Sequence, residues 1–240
     1  MMSLKIENID IPIESEDIIL KGSIYYMSDT PSKAPWIINL AGFLEHRESK
    51  FVKGFSERFA SSGYYVLSYD YRNHGETAID GERVDFIKTT PKIFSDLNEV
   101  ISWLLKNQSD RLLEDKIGLF GRSYGGAIIL THGFIDRRIK ILIALCTRYD
   151  YSTVNLKIPE DLIKRVSPKY FLKKDPLNNK RIFLAHCKDD SRMPFHNVIQ
   201  IKEHLGLNDE NVIIYDTGGH SFKGHRDHLF EQVLKFLKKI

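Results

Sequence analysis

From residue 35 onward the chain alternates short apolar runs with amphipathic segments, and this alternation constrains its fold most. The apolar run 36–40 is followed by a segment with Phe51, Phe55 and Phe59 four residues apart, the spacing of one helix face. The same order recurs along the rest of the 240-residue chain. Short apolar strands alternating with amphipathic helices predict a mostly parallel central sheet that is flanked by helices on both faces.

The apolar pattern also sets the bounds of the individual elements. Strands are predicted at 36–40, 64–70, 116–120, 140–146, 181–187 and 212–215. Helices are predicted at 50–62, 91–108, 123–134, 198–205 and 229–240. Before them, Leu4–Ile13 alternates apolar and polar residues, and Ile18–Met27 follows an acidic turn. This pair predicts an N-terminal hairpin at one edge of the sheet.

Composition excludes several classes of protein. The chain has 35 basic and 32 acidic residues, a formal net charge of +3, which is too small to indicate a nucleic-acid partner. No apolar run approaches the roughly 18 residues of a membrane span, and no apolar secretory segment stands near the N-terminus. Cys146 and Cys187 each end an apolar run, which predicts buried free thiols. We therefore expect a single cytoplasmic domain over residues 1–240, without a prediction of its oligomeric state.

The segment 121–126, with the sequence GRSYGG, follows a predicted strand and precedes a predicted helix. A G-x-S-x-G pattern in this setting is typical of a sharp turn that exposes a serine hydroxyl at the edge of a sheet. Gly121 and Gly125 leave room for the backbone to pass itself. Ser123 then lies at a helix N-terminus, where free N–H groups favour developing negative charge. The segment predicts a nucleophilic serine.

A serine nucleophile requires a base, and the base requires an acid that orients it. The strand at 181–187 is followed by Asp189 and Asp190, and the strand at 212–215 is followed by a glycine pair and His220. The acid and the histidine thus follow the serine along the chain, each after a strand. The strands of a parallel sheet can bring all three residues to one edge. The spacing alone leaves the choice between the two aspartates open.

Four segments resemble the α/β-hydrolase superfamily, and within it the serine esterase, monoacylglycerol-lipase and serine-aminopeptidase-like group. The resemblance covers nearly the whole chain. The matching segments are the N-L-A-G-F oxyanion loop at 39–43, D-Y-R-N-H-G at 70–75, the serine turn at 121–126, and H-C-K-D-D-S-R-M-P at 186–194. The Met-Pro ending of the last segment aligns the family's acid with Asp190 rather than Asp189.

The resemblance implies an α/β-hydrolase fold and a role for each site residue. Ser123 attacks a carbonyl carbon, His220 takes and returns its proton, and Asp190 holds the imidazole. The backbone N–H groups of Phe43 and Tyr124 form the oxyanion hole. The resemblance implies no metal and no cofactor, and a small-molecule ester as the partner.

Two positions depart from the family pattern. Ala41 replaces the histidine of the oxyanion loop, which leaves the loop conformation around Phe43 in question, and Asn73 replaces a glycine of the D-x-R-G-H-G turn. Arg72 and His74 of this turn are interpreted as residues that brace the loops beneath the site, with substrate contact as the alternative.

Residues 147–180 interrupt the alternation where the family inserts a lid, so we predict a small cap with one helix at Glu160–Val166. Candidate pocket residues are Arg122, Tyr149 and Tyr151. A modest cap with an apolar lining favours small or medium acyl esters, which gives a carboxylesterase-like serine hydrolase. Two alternatives stay open: a thioesterase or aminopeptidase with the same three residues, and a non-catalytic binding protein on the same scaffold.

Overall fold

The computed structural model describes residues 2–78 and 84–238, and its strands form one eight-stranded sheet in the order β1-β2-β4-β3-β5-β6-β7-β8. The strands are β1 (Leu4–Ile13), β2 (Ile18–Met27), β3 (Ala34–Leu40), β4 (Tyr65–Tyr69), β5 (Leu112–Arg122), β6 (Ile141–Leu145), β7 (Ile182–Cys187) and β8 (Val212–Tyr215). From β4 to β8 every neighbouring pair is parallel. The predicted mostly parallel sheet is confirmed.

The N-terminal hairpin lies at one edge of this sheet, as predicted. β1 pairs with β2 in antiparallel register over its full length, from Leu4 opposite Met27 to Ile13 opposite Ile18. β2 then pairs antiparallel with β4, which joins the hairpin to the parallel part of the sheet.

Helices cover both faces of the sheet. They are α1 (Lys50–Ser61), α2 (Phe86–Asn107), α3 (Tyr124–Ile128), α4 (Glu160–Val166), α5 (Asn178–Arg181), α6 (His196–Leu205) and α7 (Arg226–Leu237). The apolar side chains of α1 and α7 form one core with Phe120, and those of α2, α3 and α6 form a second core with Leu119. Successive residues of β5 therefore serve opposite cores, as the alternation of side chains along a strand requires.

The predicted helices α6 and α7 begin two and three residues earlier than expected, and the predicted end of α7 at 239–240 lies outside the described residues. Two other helices differ more from the prediction. The prediction started α2 at Pro91, but the helix begins at Phe86 because the Asp85 carboxylate accepts hydrogen bonds from the N–H groups of Ile87 and Lys88. This cap satisfies two of the free N–H groups of the first turn, and the helix continues through the proline. The helix after Ser123 is α-helical to Ile128 and continues as a π-helical turn over Ile129–Gly133.

The cap at 147–180 contains α4 with the bounds that the sequence predicted. It also contains short 3-10 turns at Tyr151–Thr153 and Pro168–Tyr170, and it ends in α5. Leu162 and Val166 of α4 are buried in the core on the α2 side of the sheet. The cap is therefore packed on the body of the protein.

Two expectations from composition also have structural counterparts. Cys146 and Cys187 are both buried and free, as predicted. Within residues 2–78 and 84–238, no helix has the length and apolar character needed to cross a membrane.

Burial of β5 predicts a large difference between two leucine-to-alanine substitutions. Leu119 is fully buried, whereas the side chain of Leu177 in the cap is 63% exposed. We expect Leu119→Ala to lower the free energy of unfolding by about 2–5 kcal/mol, because it leaves a cavity at the centre of the sheet. Leu177→Ala is the matched control and should change it by less than about 0.5 kcal/mol. Urea unfolding of the three proteins measures both values, and similar losses would contradict the assignment of this core.

Candidate active site

Ser123 lies in the tight turn between β5 and α3, and its backbone is strained. Its φ is 58° and its ψ is −113°, a combination that L-residues rarely adopt. The strain is held on both sides: the N–H of Ser123 donates to the carbonyl of Leu145 at 2.8 Å, and its carbonyl accepts from Thr147 Oγ1 at 2.8 Å. The turn is therefore fixed to the end of β6, as a serine presented at a sheet edge requires.

The glycines of this turn allow a close approach of the backbone after β3. A Cβ atom at Gly125 would lie 2.5 Å from the carbonyl oxygen of Leu40 and 2.7 Å from that of Ala41. A Cβ atom at Gly121 would lie 3.0 Å from the same Leu40 oxygen. Only a residue without a side chain fits at position 125. The loop after β3 is thereby brought against the serine turn.

Asp190 and His220 are joined directly. His220 Nδ1 lies 2.7 Å from Asp190 Oδ2, and the other carboxylate oxygen accepts from the backbone N–H groups of Arg192 and Met193 at 2.9 Å each. Burial opposes ionisation of Asp190, but the hydrogen bond and charge of His220 and these two N–H groups outweigh it and lower the pKa to about 2. Asp190 is thus a carboxylate that orients the imidazole ring.

Asp189, the other aspartate that the sequence left open, has a different position. Its carboxylate accepts from the N–H groups of Gly218 at 3.1 Å and Gly219 at 2.8 Å. Both glycines have positive φ, so the segment before His220 is a tight turn that Asp189 holds in place. The two aspartates therefore support the same histidine, one at its ring and one at its backbone.

Ser123 and the ring of His220 do not form a hydrogen bond with each other in this structure. Within the described part of the chain, the ring of His220 contacts a hydrogen-bond partner only at Asp190. The two segments are nevertheless linked. The side chain of Arg122, the residue before Ser123, donates to the backbone carbonyl of His220 at 3.2 Å. Contacts between nucleophile and base are often long in hydrolases without substrate.

The predicted oxyanion donors are Phe43 and Tyr124. Tyr124 is the first residue of α3, so its N–H has no acceptor within the helix. The N–H of Phe43 has no hydrogen-bond acceptor among residues 2–78 and 84–238. The rings of the two residues contact each other, with centroids 5.4 Å apart. Both donors are thus available to a ligand.

His74 holds the loop that carries Phe43. Its Nδ1 lies 2.7 Å from the carbonyl of Arg72, so Nδ1 donates and Nε2 accepts from the N–H of Leu44 at 3.3 Å. Burial lowers the pKa of His74, which favours this neutral form. Leu44 has a positive φ of 61°. The loop conformation therefore depends on His74 in a chain that has Ala41 in place of the family's loop histidine.

The rest of the 70–75 turn has a structural role too. The guanidinium of Arg72 forms two hydrogen bonds of 2.6 Å with buried Asp96 and one of 2.7 Å with Glu16. Asn73 has a φ of 58°, a left-handed conformation that asparagine tolerates better than most residues. These contacts favour the bracing interpretation of Arg72 and His74, and they explain how asparagine can replace the family's glycine.

Arg122, predicted as a pocket residue, is buried beside the serine instead. It pairs with Glu45, donates to the His220 carbonyl and to Ser221 Oγ at 3.0 Å, and lies over the ring of Phe51 at 4.1 Å from its centroid. The other carboxylate oxygen of Glu45 accepts from the N–H of Gly42 at 2.9 Å. This Arg122–Glu45 pair joins the three loops of the site. The sequence carried no signal for a pair 77 residues apart.

A cavity of about 270 Å³ opens next to Ser123. It is lined by Phe43, Phe86, Ser123, Tyr124, Arg148, Tyr151, Val154, Asn155, Leu156, Ile158 and Met193. Of the three candidate pocket residues, the structure places Tyr151 in this lining and Arg122 and Tyr149 outside it. The hydroxyl of Tyr149 lies instead 2.9 Å from Nδ1 of His204. The lining is mainly apolar and comes largely from the cap.

A single cluster in the described part of the chain has the composition of a metal site. Ligand atoms of Cys146, His186 and Asp190 lie within 4.8 Å of one another, and all three residues are buried. Asp190 Oδ2 is already bound by His220, and His186 Nε2 lies 2.9 Å from the carbonyl of Met193. An ion here would have to displace these contacts. The predicted absence of a metal stays a prediction.

One family model matches more than half of the chain. The family model described as serine aminopeptidase, S33, matches residues 32–179, which include the serine turn and the cap. The α/β-hydrolase GrgF from Penicillium sp. sh18 superposes with a TM-score of 0.75 at 17% identity and covers 98% of each chain. The α/β-hydrolase fold that the sequence predicted is confirmed.

Two curated proteins are related over part of their length. An uncharacterized 31.7 kDa protein of the traX-finO intergenic region of Escherichia coli is 30% identical over 112 residues, which are 47% of this chain. The quorum-quenching protein AidA of Acinetobacter baumannii (strain MDR-ZJ06) is 26% identical over 138 residues, 58% of this chain. The matches span 37% and 43% of these relatives, so this chain matches less than half the length of either.

The lowered pKa of Asp190 predicts a loss of stability in acid. Its value of about 2 lies below the ordinary 3.8, so Asp190 stabilises the fold fully above about pH 4, and this contribution is lost as pH falls towards 2. We expect the wild type to lose about 2 kcal/mol more unfolding free energy than Asp190→Asn between pH 5 and 2. Urea unfolding across this range measures the difference. Parallel pH curves for the two proteins would contradict it.

Proposed function

Because the chain belongs to the serine aminopeptidase S33 family of α/β-hydrolases, we propose that it is a serine hydrolase that cleaves carboxylic esters of small or medium acyl substrates. The observation that carries the proposal is the Asp190–His220 pair of 2.7 Å, in a site whose serine is held at a φ of 58°. An oriented imidazole and a strained, partly exposed serine are the two parts that acyl transfer requires.

Each group has a defined task in the proposed reaction. His220 Nε2 removes the proton of Ser123 Oγ as the oxygen attacks the ester carbonyl carbon. The resulting oxyanion accepts hydrogen bonds from the N–H groups of Phe43 and Tyr124, which have no other acceptor in the part of the chain that the structure describes. His220 then protonates the departing alcohol, and water attacks the acyl-enzyme by the same route in reverse.

Asp190 holds the imidazole of His220 in the tautomer that the reaction needs. Its Oδ2 accepts from His220 Nδ1–H, which leaves Nε2 free to accept the serine proton. The hydrogen bond and charge of His220, together with two backbone donors, keep the carboxylate ionised, so it stabilises the imidazolium that forms in each transition state. Substrate binding in the cavity closes the remaining distance between Ser123 and His220 in this proposal.

The charges near the cavity favour an ester over the N-terminus of a peptide. An aminopeptidase needs a carboxylate to bind the free amino group, and Glu45, Glu48 and Asp150 are each paired with a cation. Glu45 binds Arg122, Glu48 binds Lys53, and Asp150 binds Lys169. The charged side chain among the cavity-lining residues is the cation Arg148. A thioester would fit the same site, and a purely binding role remains the third hypothesis.

Covalent labelling tests the proposed nucleophile. We expect a fluorophosphonate probe to label the wild type at Ser123, because the oriented histidine activates its hydroxyl. Ser123→Ala should not be labelled, whereas Ser221→Ala, which removes a serine close to the site, should retain labelling. Mass spectrometry of the modified peptide identifies the residue. A folded wild type that resists the probe would support the binding-protein hypothesis.

The leaving group is resolved by rates measured on matched substrates. Butanoyl esters, butanoyl thioesters and aminoacyl amides of similar size are compared at one pH by kcat/KM. The proposal requires the ester to be the best of the three substrates. A faster thioester or amide would keep the serine mechanism and replace the assigned substrate.

The two neighbouring aspartates give a matched test of the acid. Asp190→Asn should lower kcat by about 10³- to 10⁴-fold. An amide carries no negative charge to stabilise the imidazolium, and its NH2 group cannot accept the histidine N–H. Asp189→Asn keeps an oxygen that can accept from Gly218 and Gly219, so we expect a loss below about tenfold. Steady-state kinetics on 4-nitrophenyl butanoate measures both. Equal losses would show that the orienting acid is wrongly assigned.

A further inference from the structure

Arg148 lines the cavity beside Ser123 and has no carboxylate partner. Within residues 2–78 and 84–238, its side chain forms one hydrogen bond, from Nη1 to Thr153 Oγ1 at 3.0 Å, and lies 6.0 Å from the centroid of the Tyr151 ring. A guanidinium has five N–H donors, so most of its capacity is unused in this structure. Its sequence neighbour Asp150 is occupied by Lys169 at 2.9 Å and by the N–H of Ser152.

Three other arginines near the site are paired with acids. Arg47 binds Asp70 and Glu76, Arg72 binds Asp96 and Glu16, and Arg122 binds Glu45. Arg148 differs from them because burial lowers its pKa and the weaker attraction of Tyr151 and Asp150 does not compensate. A half-buried cation without a counter-charge is unfavourable unless a ligand supplies one.

We propose that Arg148 binds a carboxylate of the substrate, so that the preferred esters are acidic as well as partly apolar. This inference rests on the proposed ester hydrolysis for its kinetic test, but not for its binding test. The planar guanidinium fork matches a carboxylate with two parallel hydrogen bonds. The apolar lining from Phe43, Phe86 and Met193 holds the rest of the molecule in the same cavity.

The cavity composition limits the substrate further. Its lining combines one cation with aromatic and aliphatic side chains from the cap, and it contains no aspartate or glutamate among the described residues. A substrate with a free ammonium group would place like charges together, which is unfavourable in a partly buried cavity. The site is therefore suited to monoesters of short dicarboxylic acids, or to esters of hydroxyl compounds that bear a carboxylate.

The kinetic experiment compares each acidic ester with its neutral counterpart. The acyl-side pair is mono-4-nitrophenyl adipate and its methyl ester, and the leaving-group pair is 3-(butanoyloxy)benzoate and its methyl ester. We expect the wild type to prefer the acid of at least one pair by about 10- to 100-fold in kcat/KM, the range of a charge-assisted double hydrogen bond. The pair that shows the preference identifies which side of the ester faces Arg148.

Variants separate charge recognition from support of the cap. Arg148→Gln should abolish the preference, so that kcat/KM falls about 10- to 100-fold more on the acidic ester than on its neutral counterpart. Arg165→Gln removes the same charge from an exposed cap position outside the cavity lining and should keep the preference. Thr153→Val removes the one hydrogen bond that the Arg148 side chain makes to the described residues and should also keep the preference. Equal loss on acidic and neutral esters in Arg148→Gln would assign the residue to structure and overturn the proposal.

A binding measurement keeps the inference separate from the proposed reaction. Isothermal titration calorimetry measures the binding of monomethyl adipate and of dimethyl adipate to the Ser123→Ala protein. Tighter binding of the acid that disappears in Ser123→Ala/Arg148→Gln supports anion recognition even if no ester is hydrolysed. Equal binding of acid and diester, together with hydrolysis of neutral esters by the wild type, would overturn the inference and leave the hydrolase proposal intact.

Discussion

The contact between Arg122 and Glu45 holds the three loops of the site together. Arg122 extends from the end of β5, next to the serine, and reaches the carbonyl of His220 on a loop that follows β8. Glu45 accepts from the N–H of Gly42 and thereby fixes the loop that carries Phe43. Both side chains are largely removed from water, so neither charge can be lost without leaving its partner unpaired. This ion pair thus connects the segments that carry Ser123, His220 and Phe43.

Much of the fold could be predicted because its elements are set by local patterns. The hairpin β1–β2, the helix α4 and the strand β8 have the bounds that apolar periodicity gave. The misses have tertiary or capping causes. Pro91 suggested a helix start, but the Asp85 cap begins α2 five residues earlier. The π-helical turn after Ile128 has no signature in apolar spacing, since a single extra residue in a turn barely changes the buried face.

The site could be predicted where each residue follows a strand, and not where it depends on side-chain pairing. Ser123 and His220 were found from their positions at strand ends, and the choice of Asp190 required the family resemblance. The hydrogen bonds of Asp189, Glu45 and His74 could not be predicted, because they join loops distant in sequence whose approach is set by packing. The same reason explains why two of the predicted pocket residues lie outside the cavity lining. The sequence does not tell which way the side chains of Arg122 and Tyr149 point in the folded loops.

The backbone of Ser123 has a thermodynamic consequence for attempts to improve the protein. A side chain at its φ of 58° and ψ of −113° costs about 1–3 kcal/mol, and glycine would relieve much of that cost. A selection for heat resistance alone would therefore reward the loss of the hydroxyl. With the proposed role of Ser123, stability and turnover compete at this one position, so any screen for more robust variants needs an activity filter if it is to keep the functional protein.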